Sequence, residues 1–433
     1  MSAEAQGPPA TEEVQEGQRR WREARRSCSL NTVGVRVPLV LTTARKSRQT
    51  GRKPPALPLA AANHMNLSEF HYDLPEERIA QRPLADRDAS RMLLLDRESG
   101  QFEDRQFREL PELLRGDELI VLNNARVLPA RLYGHREGIH AVAIGKRNPA
   151  RAEFLQAKIE VLLVRQLAED TWEALVRPGR KIPTGERIVF GETAGEPEAG
   201  LEARVEGRGD FGLRILKFRS AIGLHQALDR MGHIPLPPYI HRADEPADRE
   251  RYQTVFARRG TAVAAPTAGL HFTPGTLEKI RAQGIEIAEI TLDVGLGTFE
   301  PVRTERLEDH KIHSEGYEIP EAAAEAILRA RSEGRPVLAV GTTVVRALED
   351  SAEKNKDENH AIRAGRAEAK IFLYPGKPFR VVGQLLTNFH LPSSTLLALV
   401  AGFAGRENVL RAYRHAVESG YRFYSYGDCM LIR

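Results

Sequence analysis

Two hydrophobic rhythms follow one another in this chain of 433 residues, and few architectures hold both. From about 127 to 220 the apolar residues come in short runs: Ala157–Val164, Trp172–Val176, Arg187–Phe190, Leu201–Val205 and Leu213–Phe218. Arg177-Pro178-Gly179 and Pro183-Thr184-Gly185 punctuate them. Short strands at that spacing form a small barrel or sandwich. After Ala221 the rhythm lengthens. Helical stretches at Thr276–Gln283, at Ala322–Arg331 and following Thr343 alternate with strands at Ile285–Leu292 and Val337–Val340, as a layered α/β unit requires. Upstream, Met92–Leu95 and Gln101–Phe102 read as a hairpin about Glu98-Ser99-Gly100, Phe107–Leu114 as a helical turn or two, and Glu118–Leu122 as a strand. The economical architecture is an α/β domain of residues 65–126 and 221–433, interrupted by an inserted small β-barrel of residues 127–220.

Residues 1–64 follow neither rhythm. Pro54, Pro55 and Pro58 break any period, and Arg19, Arg20, Arg22, Arg25 and Arg26 crowd a short stretch. This segment holds 11 basic and 5 acidic residues, a net of +6, against 52 and 54 in the remainder, a net of −2, so it accounts for the chain's positive charge of +4. A body that binds a polyanion must then concentrate its cations locally. The segment reads as a disordered or non-native extension, with an RNA-binding arm as the alternative, and the folded pattern begins at Met65. Its apolar run Val33–Leu41 is cut by Arg36 and Pro38, unlike a signal peptide. No apolar run approaches the roughly 18 residues of a membrane helix, and Leu396–Ala404 reads as a buried one. Cys28 and Cys429 make no disulfide framework and no CxxC motif, which fits a reducing cytoplasm.

Four segments point to chemistry. Leu292-Asp293-Val294-Gly295-Leu296-Gly297-Thr298 follows a strand, as in methyltransferases whose glycines admit S-adenosylmethionine close to the backbone, but Pro301 stands where the following helix is needed. Val340-Gly341-Thr342-Thr343-Val344-Val345-Arg346 joins a strand to a helix. Thr342 or Thr343 can cap it, and its free N–H groups suit an anion; an ordinary capped turn reads the same way. Ala265-Pro266-Thr267-Ala268-Gly269-Leu270-His271-Phe272 sets small residues beside one titratable group, a pattern shared with structural histidines. In the last segment, Tyr421-Arg422-Phe423-Tyr424-Ser425-Tyr426 alternates like a strand. Half of its aromatics, counted with Phe389 and Tyr413, belong in a core; the others, with Arg411, Arg414 and Arg422, suit stacking on an extruded base. His310, His313 and Glu315 have helical spacing but no further ligand, so no metal site is assigned.

Further stretches accompany these: Asn124–Leu132, Arg177–Lys181, Ile234–Ile240, Tyr252–Phe256, Tyr374–Gly376 and Thr387–Pro392. Together and in order, from Met65 to Arg433, they resemble the S-adenosylmethionine:tRNA ribosyltransferase-isomerase family of queuosine biosynthesis. The resemblance implies an α/β domain with an inserted β-barrel, and a cytoplasmic, monomeric, metal-free transferase. S-adenosylmethionine would be the ribosyl donor. The acceptor would be 7-aminomethyl-7-deazaguanine at the wobble position of tRNA with a GUN anticodon, and the products epoxyqueuosine-tRNA, adenine and methionine. The sulfonium acidifies the adjacent C5′ hydrogens, so a positioned base starts the loss of adenine.

On that resemblance His271 is the first candidate for the base and His390 the second. Thr342, Thr343 and Arg346 would hold the methionine carboxylate; Tyr252, Tyr374 and Asn388 would line the nucleoside site, with Thr267, Gly269, Gly295 and Gly297 close to the donor. Arg126, Arg131 and Arg180 would contact phosphates, and Tyr424 the nucleic acid. Asp293 departs from the family pattern, which has His there. It either takes over as base or supports the donor by accepting from a ribose hydroxyl or facing the sulfonium, and the supporting role is the favoured expectation. The rival classes are a methyltransferase, releasing S-adenosylhomocysteine, and a non-catalytic RNA-binding module.

Overall fold

A computed structural model describes residues 65–137, 158–179, 182–191, 200–209, 212–292, 305–310, 312 and 314–433. The expectations for residues 1–64, Arg180, Asp293, Gly295, Gly297 and His313 lie outside these residues.

The chain enters with β1 (Arg91–Leu95), β2 (Phe102–Gln106), β3 (Leu119–Asn123) and the short β4 (Ala125–Val127). Six strands follow: β5 (Arg131–Arg136), β6 (Ile159–Ala168), β7 (Thr171–Arg177), β8 (Arg187–Phe190), β9 (Glu202–Arg208) and β10 (Arg214–Arg219). They close as an antiparallel barrel in the order β10-β7-β6-β5-β8-β9, with β9 and β10 sealing the ring. Every second residue points inward. Trp172, Ala174 and Val176 of β7 meet Leu216 and Phe218 of β10, and the Phe190 and Phe218 rings stack at 5.8 Å. Closure leaves no exposed strand edge.

The chain then returns through helix α1 (Leu224–Met231) and β11 (Arg259–Ala262), which pairs in parallel with β4. The remaining elements are α2 (Pro274–Ala282), β12 (Glu286–Leu292), β13 (Glu315–Ile319), α3 (Glu321–Ser332), β14 (Val337–Val340), α4 (Thr342–Lys354), β15 (Gly365–Ala369), β16 (Gln384–Asn388), α5 (Thr395–Ala404), α6 (Arg406–Glu418) and β17 (Cys429–Ile432). Nine strands make one mixed sheet, ordered β15-β13-β12-β3-β14-β16-β17-β1-β2. Its centre, β12-β3-β14-β16, is parallel.

Strand alternation decides which layer each side chain joins. Leu119 and Val121 of β3, with Val337 and Ala339 of β14, face the layer of α3, α4, α5 and α6. Ile120, Leu122, Leu338 and Val340 face α2 and the turn at Phe107–Leu110. Burying each such Leu, Ile or Val contributes about 1.5–3 kcal/mol. Helix α5 is apolar all round because helices and sheet enclose it; Ser394 caps it, accepting from the Leu397 N–H at 3.2 Å. Among the described residues no helix is long and apolar enough to cross a membrane.

Two local expectations differ from what is observed. Tyr421–Tyr426 is a compact turn, and Tyr413, Phe389 and all four aromatics of the turn are buried. Tyr424 takes φ 71°, which ends any strand there. Glu315 lies at the start of β13 while His310 closes a 3-10 turn, so the two do not share a helix.

Candidate active site

Strands β14 and β16 lie side by side and turn at the same level. Val340 pairs with Leu386, and the Gly341 N–H donates to the Leu386 carbonyl at 2.8 Å. Gly341 has φ 97°, a conformation open to glycine, and reverses the chain directly into α4. β16 continues to Asn388, then passes through Phe389–Ser394 into α5. The carboxyl ends of parallel strands are where open α/β sheets bind ligands. Here they border a cavity of about 420 Å³. Its other walls are Ala264–Ala268, Tyr239, Tyr252 and the Tyr424-Ser425 turn.

The walls are mostly apolar, but four polar atoms of wall residues, Thr343 Oγ1, Asn388 Oδ1 and the hydroxyls of Tyr252 and Tyr424, have no hydrogen-bond partner. A buried polar atom left unpaired costs about 1–3 kcal/mol, so four around one cavity make it the candidate ligand site. Two non-glycine wall residues also have left-handed backbone, Ser393 at φ 53° and Tyr424 at φ 71°. Such strain persists only where neighbours enforce it. Ser393 N–H donates to the Phe70 carbonyl at 3.0 Å, and Tyr424 N–H to the Phe389 carbonyl at 3.2 Å. The Tyr424 carbonyl accepts from Gly427 N–H and from Asn388 Nδ2, both at 2.9 Å.

The two candidate histidines sit differently. His390 is on the wall, its Nε2 2.9 Å from Thr387 Oγ1. His271 lies behind Asn388 and off the wall, with Nε2 3.3 Å from Asn388 Nδ2 and Nδ1 2.9 Å from Ser90 Oγ. An amide nitrogen only donates, so Nε2 of His271 is the accepting nitrogen and Nδ1 carries the proton. Burial pushes His271 down to about 4, with the Arg87 and Arg422 guanidiniums acting the same way, and burial pushes His390 down to about 3. Both imidazoles are neutral near pH 7, whereas an unfolded chain titrates them near 6.5. Between pH 6.5 and 4 the unfolded chain therefore binds more protons, and the stability held above pH 6.5 is lost as pH falls. The urea midpoint should drop across that window, and His390→Gln should flatten the drop. A pH dependence identical in the variant and the parent would refute the assignment.

Of the other candidates, Thr267, Thr342, Thr343, Tyr252, Asn388 and Tyr424 come together on the cavity wall. Gly269 is off it: a Cβ there would lie 2.7 Å from Phe256 and 2.8 Å from Thr254, so this glycine permits close packing. Tyr374 is also off the wall, packed on Phe372 at 5.2 Å. Arg346, one turn into α4, pairs with the buried Glu315 of β13. Arg126 is exposed on β4, while Arg131 lies 3.2 Å from Glu160 and donates to the Leu236 carbonyl. Tyr239 carries no sequence-derived role, yet its hydroxyl meets Ser425 Oγ at 2.6 Å and its ring packs on Tyr424 at 4.3 Å. The proline-rich Ile234–Ile240 stretch was its only signal.

Fold and cavity define the class: an α/β fold with a cavity at the carboxyl ends of its parallel strands, joined to a closed β-barrel. A family model described as queuosine biosynthesis protein matches residues 67–432. S-adenosylmethionine:tRNA ribosyltransferase-isomerase of Solibacter usitatus is 56% identical over 370 residues, covering 85% of this chain and 100% of that protein. The protein of the same name from Moorella thermoacetica is 50% identical over 369 residues, 85% of this chain and all of its own. The crystal structure of S-adenosylmethionine tRNA ribosyltransferase from Thermotoga maritima is 36% identical, covers 84% of this chain and 100% of that one, and gives a TM-score of 0.44. This chain belongs to the queuosine biosynthesis family of S-adenosylmethionine:tRNA ribosyltransferase-isomerases and is a transferase.

Proposed function

We propose that this enzyme transfers and isomerises the ribosyl moiety of S-adenosylmethionine onto 7-aminomethyl-7-deazaguanine at the wobble position of tRNA with a GUN anticodon. Epoxyqueuosine-tRNA, adenine and methionine are the products. The observation that carries this reading is one apolar cavity in which the start of α4 and four residues with unpartnered polar atoms converge. In the same reading residues 65–126 and 221–433 are the catalytic domain and 127–220 an inserted barrel.

The cavity suits the donor. The first N–H groups of α4, with Thr342 and Thr343, take the carboxylate, which the helix dipole favours. Tyr239, Tyr252 and Tyr424 offer aromatic faces to the sulfonium, a cation–π attraction of about 0.5–2 kcal/mol. His390, neutral and on the wall, accepts the proton from the carbon next to the sulfonium. The same imidazole, once protonated, can pass that proton to the departing adenine. The acceptor amine attacks in its neutral form.

Quenched reactions with S-adenosylmethionine and acceptor tRNA should contain adenine and methionine in equal amounts by chromatography. S-adenosylhomocysteine in their place would make the enzyme a methyltransferase and overturn this reading.

A further inference from the structure

Asn388 is 2% exposed and ends β16 on the cavity wall. Its Nδ2 donates to the Tyr424 carbonyl at 2.9 Å and contacts His271 Nε2 at 3.3 Å. A carbonyl only accepts, so it dictates which end of the amide faces it. With both N–H groups engaged, Oδ1 is left on the other side as an acceptor, and it has no partner in the protein. His271 takes part through its lone pair at Nε2, with Nδ1–H directed to Ser90 Oγ at 2.9 Å and that hydroxyl to the Arg87 carbonyl at 3.3 Å.

Next to this acceptor stands the opposite demand. On the neighbouring strand Gly341 N–H is bonded to Leu386, two residues before Asn388, and α4 starts there with free N–H groups and the unpartnered Thr343 Oγ1. An anion-binding helix end beside a buried, donor-seeking oxygen is the complement of a zwitterion. Its two charges must lie a few ångströms apart, as the α-carboxylate and α-ammonium of an amino acid do.

We infer that Asn388 Oδ1 binds the α-ammonium of the methionyl end of S-adenosylmethionine while the start of α4 binds its carboxylate, and that His271 is a positioning residue holding the Asn388 amide in that orientation. This rests on S-adenosylmethionine being the donor, and it moves Asn388 from the nucleoside end to the amino-acid end. It also gives His271 work that needs no proton transfer.

The test is calorimetric binding of S-adenosylmethionine and of its analogue lacking the α-amino group. A hydrogen bond to a charged group predicts a preference of roughly 10- to 100-fold for S-adenosylmethionine in the unaltered enzyme. Asn388→Ala should abolish the preference. His271→Ala should reduce it at an unchanged folded circular-dichroism spectrum, and His271→Gln, whose amide oxygen can accept from Asn388 Nδ2, should restore it. A merely structural His271 would move the melting temperature and leave the preference intact. Equal binding of the two ligands by the unaltered enzyme overturns the inference, and that comparison needs no variant. Preference for S-adenosylmethionine together with release of S-adenosylhomocysteine would sink the proposed reaction and leave this subsite standing. No binding of S-adenosylmethionine at all would overturn both.

Discussion

Replacing His390 with alanine is expected to lower turnover by about 10²–10⁴-fold, the usual range for loss of a general acid–base group, with affinity for S-adenosylmethionine changed only a few-fold. His390 reaches the cavity wall, and His271 does not. Thr387 Oγ1 is 3.4 Å from the Asn388 carbonyl, to which it can only donate, and 2.9 Å from His390 Nε2. Directed that way, the chain puts the imidazole proton on Nε2 and leaves Nδ1 as the basic nitrogen. Tyr72 and Tyr413 hold the backbone: the Tyr72 hydroxyl donates to the His390 carbonyl and the His390 N–H to the Tyr413 hydroxyl. The ring is therefore placed by groups that the substitution does not touch, and the loss should fall on kcat. Single-turnover release of adenine, read beside calorimetric binding, separates the two quantities. Turnover within a few-fold of the parent would remove His390 as the base and return the role to a residue elsewhere on the cavity.

Arg346→Met should cost about 3–5 kcal/mol of stability, the usual effect of breaking a buried ion pair by removing one member. Arg346 is 7% and Glu315 3% exposed, and their contact ties α4 to β13. Urea unfolding measures the loss. Glu315→Leu added to Arg346→Met should recover most of it, since an apolar pair of similar volume often replaces a buried ion pair without penalty. Affinity for S-adenosylmethionine should change little, because the carboxylate is held by the first turn of α4 and not by this guanidinium. A large fall in affinity at unchanged stability would instead put Arg346 in direct contact with the donor.

Local pattern made part of the fold legible. The strand expected at Val337–Val340 is β14 itself, and the helix expected after Thr343 is α4. In both, four to thirteen residues carry the whole signal. Elsewhere the ends slipped. β6 runs to Ala168, four residues beyond the expected Val164, because its last four residues are exposed and no buried apolar residue marks them. α2 starts at Pro274, capped by Thr273, earlier than the apolar period alone suggests. The aromatic alternation at Tyr421–Tyr426 misled for a different reason. All its rings are buried without a strand, since Asp428 gathers the N–H groups of Arg91 and Arg422 and bends the segment into a turn.

For the site, residue chemistry alone singled out Gly341, Thr342, Thr343 and His271, because a glycine turn, hydroxyls at a helix start and a histidine among small residues are recognisable by type; His390 and Asn388 came only with the family resemblance. Sequence also set the period-two layering of the sheet and the strand-rich rhythm of the barrel, since both follow from how successive side chains point along a backbone. Which face each polar group finally presents was a tertiary decision. The Tyr424 carbonyl, 36 residues away in sequence, fixes the Asn388 amide and leaves its Oδ1 without a protein partner; Glu315, 31 residues away, pairs with Arg346 off the wall; and His271 sits behind Asn388. Hydrogen bonds between distant segments form only once strands have taken their places, so orientation at the site is written in the packing and not in any local run of residues.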